Sequence, residues 1–180
     1  MPLLRSWSSV LGLGLLVGGV ALAEGTSVIS VDLPYDNYNL QLRGDDIVSR
    51  DLQLQRVGTE LRGRALGSVA QLTLKKDGVS GAVGSSPVNL KVRTEGDTLL
   101  AEGGFIDGPV TLRFSPKELH VYISQCRYEL AFAQGVYEGR RSCDSRLLPP
   151  VRFSVPPDLR ERSPAEQAAL LLFALAPAAK

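Results

Sequence analysis

Histidine, tryptophan and methionine each occur once in this 180-residue chain, and cysteine only twice. Those shortages exclude several chemistries at the outset. Nucleophilic catalysis needs a base beside the nucleophile. The only histidine, His120, falls at an outward position of a strand-like run with no acid partner close in sequence. One histidine and two cysteines do not make a tetrahedral zinc site. No glycine loop cradles phosphate: Gly103-Gly104 stands in an aromatic and acidic context, without the Lys-Ser/Thr that follows a P-loop. Charge of one sign is also missing, because 20 Lys and Arg face 19 Asp and Glu, with Arg5 in the leading segment as the surplus. The basic excess that marks a nucleic-acid binder is therefore absent. Gly44-Asp45-Asp46 puts two carboxylates side by side, yet no calcium-loop spacing of Asp and Asn follows, so a solvated turn is expected there. No cofactor and no metal are expected.

The chain opens as an export signal. Arg5 supplies the positive start, Val10 to Val20 an apolar run rich in glycine, and Ala21-Leu22-Ala23 the small residues of a cleavage site. Residues 1–23 are read as a secretory signal peptide, too short and too glycine-rich for a membrane span. The mature chain then carries neither the tryptophan nor the methionine. Residues 24–157 are expected to form a β-meander domain, and 158–180 a linker with an apolar helix.

The organising pattern is a short theme repeated between Val57 and Ile123. Its clearest copies are Gly81 to Val92 and Gly103 to Phe114, in which Gly81, Pro87 and Val88 answer Gly103, Pro109 and Val110. An earlier copy starts at Gly63. Each copy ends in alternation: Ala70, Leu72, Leu74; Val88, Leu90, Val92; Val110, Leu112, Phe114. Side chains of a strand point to opposite faces in turn, so this pattern buries one face and wets the other. Asp77-Gly78, Gly96-Asp97, Asp107-Gly108 and Ser115-Pro116-Lys117 supply turn chemistry between the runs. The fold class expected is all-β, an antiparallel meander of nine or ten strands closing as a barrel or a sandwich, with one short C-terminal α-helix.

Two cysteines in an exported chain predict one disulfide, Cys126 to Cys143. The register supports it. A two-residue turn at Gln134-Gly135 opposes Phe132 with Tyr137, Leu130 with Gly139, Glu129 with Arg140 and, further out, Cys126 with Cys143. An aromatic pair and an ion pair thus follow from one assumption. Tyr128, Leu130, Phe132 and Tyr137 are expected on the apolar face of this hairpin.

Ser27 to Leu33 reads as the first strand, and Leu147 to Val155 as the last. At Ser163-Pro164-Ala165-Glu166 an N-cap, a proline at the first helical position and a glutamate at the third announce a helix. It is apolar almost all round to Ala176 and spans less than about 20 Å, too short to cross a bilayer. Packing on or inside the sheet, docking on a partner or membrane surface, and fraying are its three possible fates.

Three groups are candidates for function. Tyr35, Asp36, Asn37 and Tyr38 form a polar, aromatic loop able to hydrogen-bond and stack on a sugar or peptide. Lys91, Arg93, Arg113 and Arg152, with Lys75, are outward-facing bases that adjacent strands could align into a stripe for an anionic partner. Glu102 and Asp107 are the carboxylates a hydrolase would use. The function expected is that of a non-enzymatic, exported cell-envelope protein, periplasmic or extracellular. It would serve as a binding or structural module for a lipid, a polysaccharide or a protein. A small outer-membrane barrel and a carboxylate-dependent hydrolase are the alternatives.

Overall fold

A computed structural model describes residues 25–179; the signal-peptide reading of residues 1–23 lies outside them. The chain forms a closed antiparallel barrel of 14 strands. In order these are β1 (Ser27–Leu33), β2 (Asp36–Arg43), β3 (Asp46–Ser49), β4 (Leu52–Val57), β5 (Glu60–Ala65), β6 (Ser68–Lys75) and β7 (Gly78–Val83). They continue with β8 (Ser86–Glu95), β9 (Thr98–Phe105), β10 (Gly108–Phe114), β11 (Glu118–Ile123), β12 (Cys126–Ala133), β13 (Val136–Cys143) and β14 (Arg146–Ser154). Each strand pairs with the next, and β1 pairs with β14 through Ser30–Ser154, Val31–Phe153 and Asp32–Arg152. A barrel is therefore the outcome, not a sandwich, and the expected nine or ten strands were too few. The strand left out was the shortest, β3, with four residues, whereas the expected last strand is present as β14.

Alternation works as the pattern demands. Leu90 and Leu112 are buried while Lys91 and Arg113 are exposed. The repeated theme has a physical meaning too. Gly81 and Gly103 pair with inward-facing residues (Leu72 and Val88; Leu90 and Val110), are themselves exposed, and have φ of 147° and 142°. A Cβ on either would lie 2.1 Å from a carbonyl oxygen of the neighbouring strand, Gln71 O and Asn89 O respectively. Only glycine fits, and these positions let the sheet bend. Gly63 repeats the arrangement on β5. The glycines climb the wall as a staircase. From Gly63 the pairing leads through Ala70 to Val83, two residues past Gly81, and from Gly81 through Val88 to Phe105, two past Gly103. A steady register drift of this kind gives the strand tilt that a closed barrel needs.

Fourteen strands at about 4.8 Å spacing, tilted in this way, make a ring roughly 25 Å across. Side chains fill an eight-strand barrel; they cannot fill this one. The remaining space takes helix α1 (Pro164–Leu175), about 10 Å wide. It packs on β1, β2 and on β6 to β9, strands on opposite sides of the ring, and its residues from Ala168 to Leu175 are all buried. Hence the helix lies in the lumen, and its apolar character on every side is accounted for. Larger wall residues, Phe114, Tyr128, Tyr137 and Phe153, project from β10, β12, β13 and β14.

One rim, called upper here, carries the turns at Gly44-Asp45 and Gln134-Gly135. The lower rim carries those at Pro34-Tyr35, Arg50-Asp51 and Asp144-Ser145. After β14 a short 3-10 turn (Pro157–Glu161) crosses the upper rim. Ser27 Oγ donates to Asp158 Oδ2 at 2.5 Å, and Arg160 donates to Tyr137 Oη at 2.7 Å. Ser163 then caps α1, accepting from Glu166 N at 3.3 Å. Glu166, 1% exposed, meets Arg162 at 2.5 Å and Arg56 of β4 at 3.7 Å. At the lower rim Arg141 donates to Ala178 O at 3.0 Å.

The disulfide between Cys126 and Cys143 is present, and the β12–β13 register pairs Phe132 with Tyr137 and Glu129 with Arg140. Arg140 and Glu129 make an ion pair at 3.1 Å. Phe132 departs from expectation. It sits near the end of β12 and remains 47% exposed, although its ring still packs 5.0 Å from that of Tyr137.

Candidate functional site

The wall opens between β2 and β3. Strands β2 and β3 are paired from Arg43–Asp46 to Gln41–Val48, and there the ladder stops. Below it β2 continues beside β1 alone, while β3 turns through Arg50 and Asp51 into β4. A cleft of about 330 Å³ fills the gap, with residues 37–41 on one side and 48–51 on the other. Its floor is the end of the luminal helix, Phe173 and Ala174, with Pro177 beyond. That volume is at the small end of ligand pockets.

Charge at the mouth is concentrated on three side chains. Arg50 meets Asp36 at 3.5 Å and Asp51 at 3.6 Å, and its guanidinium lies 5.1 Å from the centre of the Tyr38 ring. Two carboxylates around one guanidinium leave a surplus negative charge. The Tyr38 hydroxyl beside it, more than Arg50, holds the Asp36 carboxyl below its usual range. Burial, followed by the neighbouring Asp36, pushes the Tyr38 hydroxyl up.

Of the four residues singled out as a ligand loop, Asn37 and Tyr38 line this cleft, and Asp36 holds Arg50 over it. Tyr35 stands apart at the tip of the turn, 97% exposed. The loop itself is shorter than expected, since Asp36 to Tyr38 already belong to β2. Ser49, Arg50, Asp51 and Phe173 were not singled out as candidates. The only cue to them was Asp51 beside a basic residue at a strand start, and nothing local brings Phe173 to β2.

The outward bases are placed differently from one another. Lys91 and Arg93 share β8; Lys91 is opposite Glu102, and Arg93 meets Glu95 at 3.0 Å and Glu102 at 3.5 Å. Arg113 on β10 meets Glu118 at 2.8 Å. Lys75 is at the end of β6. Arg152 is on β14, away from the others, and meets Glu138 at 3.0 Å. The wall at these positions alternates in sign. Contrary to expectation, His120 on β11 has an acid partner close in sequence. Glu118, two residues back on the same strand face, places Oε2 3.2 Å away, while Arg113 donates to its other oxygen, Oε1. Asp107 lies in the turn between β9 and β10.

No group of three or more metal-ligating side chains is found among the described residues. No helix among them is long and apolar enough to cross a membrane. No protein-family model matches the chain, and neither the curated proteins nor the solved structures yield a match.

Proposed function

We propose that this chain is a non-enzymatic component exported to the cell envelope, where it acts as a rigid binding module for a protein partner. The observation that carries this reading is the cleft between β2 and β3, the place where a closed wall is left open beside polar side chains and an apolar floor. The filled lumen argues against a lipid carried inside, because helix α1 occupies the volume that an acyl chain would need.

Outward charges support a water-facing wall in preference to an outer-membrane barrel. Lys91, Glu102, Arg113 and Arg152 lie where a membrane barrel carries its apolar band. A binding role is favoured over hydrolysis by the state of the candidate carboxylates. Glu102 is exposed and ion-paired with Arg93, and Asp107 is exposed in its turn, so neither is a buried carboxylate in a cleft.

Cell fractionation with the full chain tests the proposal. Recovery in the soluble envelope fraction, shortened at its N-terminus and with Cys126 and Cys143 oxidised, is the expected result. Recovery in the cytoplasm at full length with reduced thiols would overturn it.

A further inference from the structure

We infer that the free margin of β2 in the cleft takes up an extended peptide segment of a partner protein as an added strand. The inference rests on the binding-module reading above and names the partner's chemistry.

The backbone of β2 sets the argument. Leu33 and Asp36 close a two-residue turn, so the bonded pairs with β1 are Leu33–Asp36, Val31–Tyr38 and Ile29–Leu40. The amides and carbonyls of Asn37, Asn39 and Gln41 therefore face away from β1. Gln41 meets Val48 of β3, but among the described residues no strand is paired with Asn37 or Asn39 on that side. Asn37 N–H instead donates to the Asp36 carboxylate at 2.9 Å, as an amide outside a ladder would. Asn39 keeps both its donor and its acceptor for a newcomer. Exposed strand margins of this kind recruit extended chains, with main-chain bonds giving affinity and alternate side chains giving specificity.

The side chains then define the occupant. An apolar side chain fits against Val48, Phe173 and Ala174 on the floor. A basic neighbour fits the surplus negative charge of Asp36, Arg50 and Asp51. A glycan is the less suitable guest, because the face of Tyr38 is already covered by Arg50 and Tyr35 lies outside the cleft.

The test uses the full chain, isotope-labelled, with acetylated hexapeptides that alternate valine and lysine. Binding should shift the backbone amide signals of Asn39 and of Ser49 to Asp51. Methylating the peptide nitrogens on one edge should weaken binding about tenfold, the worth of one well-made hydrogen bond. Asn39→Pro, which removes the amide facing the cleft and also fixes φ there, should weaken binding by at least as much. Asn39→Ala, which keeps the amide, should bind as the unaltered chain does, with thermal melts to verify folding of both. Equal binding of methylated and unmethylated peptides would overturn the inference. So would unmoved signals at millimolar peptide, or maltohexaose shifting the same amides in place of peptide. An envelope location combined with either of the first two results removes the added strand while leaving the binding-module reading in place, whereas the maltohexaose result removes the protein partner as well.

Discussion

Phe173 of the luminal helix meets Phe105 of β9 edge to face, with ring centroids 5.1 Å apart. This contact joins the helix to the far wall from the cleft that Phe173 also floors. Phe173→Ala would remove a buried ring held between the helix and β9, whose barrel frame leaves little freedom to collapse. A loss of about 3–5 kcal/mol in urea denaturation is expected. A loss below 1 kcal/mol would mean that the helix is not held in the lumen.

The repeated glycines should tolerate nothing larger. In Gly81→Ala or Gly103→Ala the new Cβ meets a backbone carbonyl, at a φ that side chains avoid. Strain and displacement together should cost about 3 kcal/mol or more. Gly25→Ala, with nothing within 4 Å of the new methyl, is the control and should leave the melting temperature unchanged.

Reduction of Cys126–Cys143 should cost about 3 kcal/mol, the loop-closure entropy restored to the unfolded chain. Amide exchange should then quicken first around Cys126 and Cys143, where β12 and β13 end at the lower rim. Uniform acceleration across all strands would show the bond to be global in effect.

Tyr128 should be the last tyrosine to ionise. Burial, offset in part by Arg141, pushes its hydroxyl from 10.0 up to about 12. The neutral form is favoured in the folded protein, so its contribution is complete below pH 10 and is lost as pH rises toward 12. Tyr38 and Tyr137 are also pushed up, so spectrophotometric titration should show Tyr128 as the phenol delayed furthest. Tyr128→Phe should abolish that phase and cost little stability, because the Tyr128 hydroxyl finds no hydrogen-bond partner among the described residues.

The strands were legible because alternation is a local signal, and one turn at Gln134-Gly135 fixed the register of its whole hairpin down to Cys126–Cys143. The helix start was legible for the same reason, since Ser163, Pro164 and Glu166 act within one turn of each other. Ring closure was not. It depends on β1 meeting β14 over a few residue pairs, a contact between distant parts of the chain that leaves no mark in either segment. The short strand β3 was missed because four residues give too little alternation to register. The cleft followed the same rule. Asn37 and Tyr38 could be suspected from their chemistry, whereas Phe173 reaches them only through the lumen.

Because β14 supplies the last stave and the segment after it supplies the filling, no length of this chain that stops before α1 has both a closed wall and an occupied interior. A ribosome releasing the polypeptide from its N-terminus would offer only an open, unfilled sheet until the final residues emerge. Completion should thus be a late, all-at-once event, and a chain cut short before Ser163 should behave as an unfinished vessel.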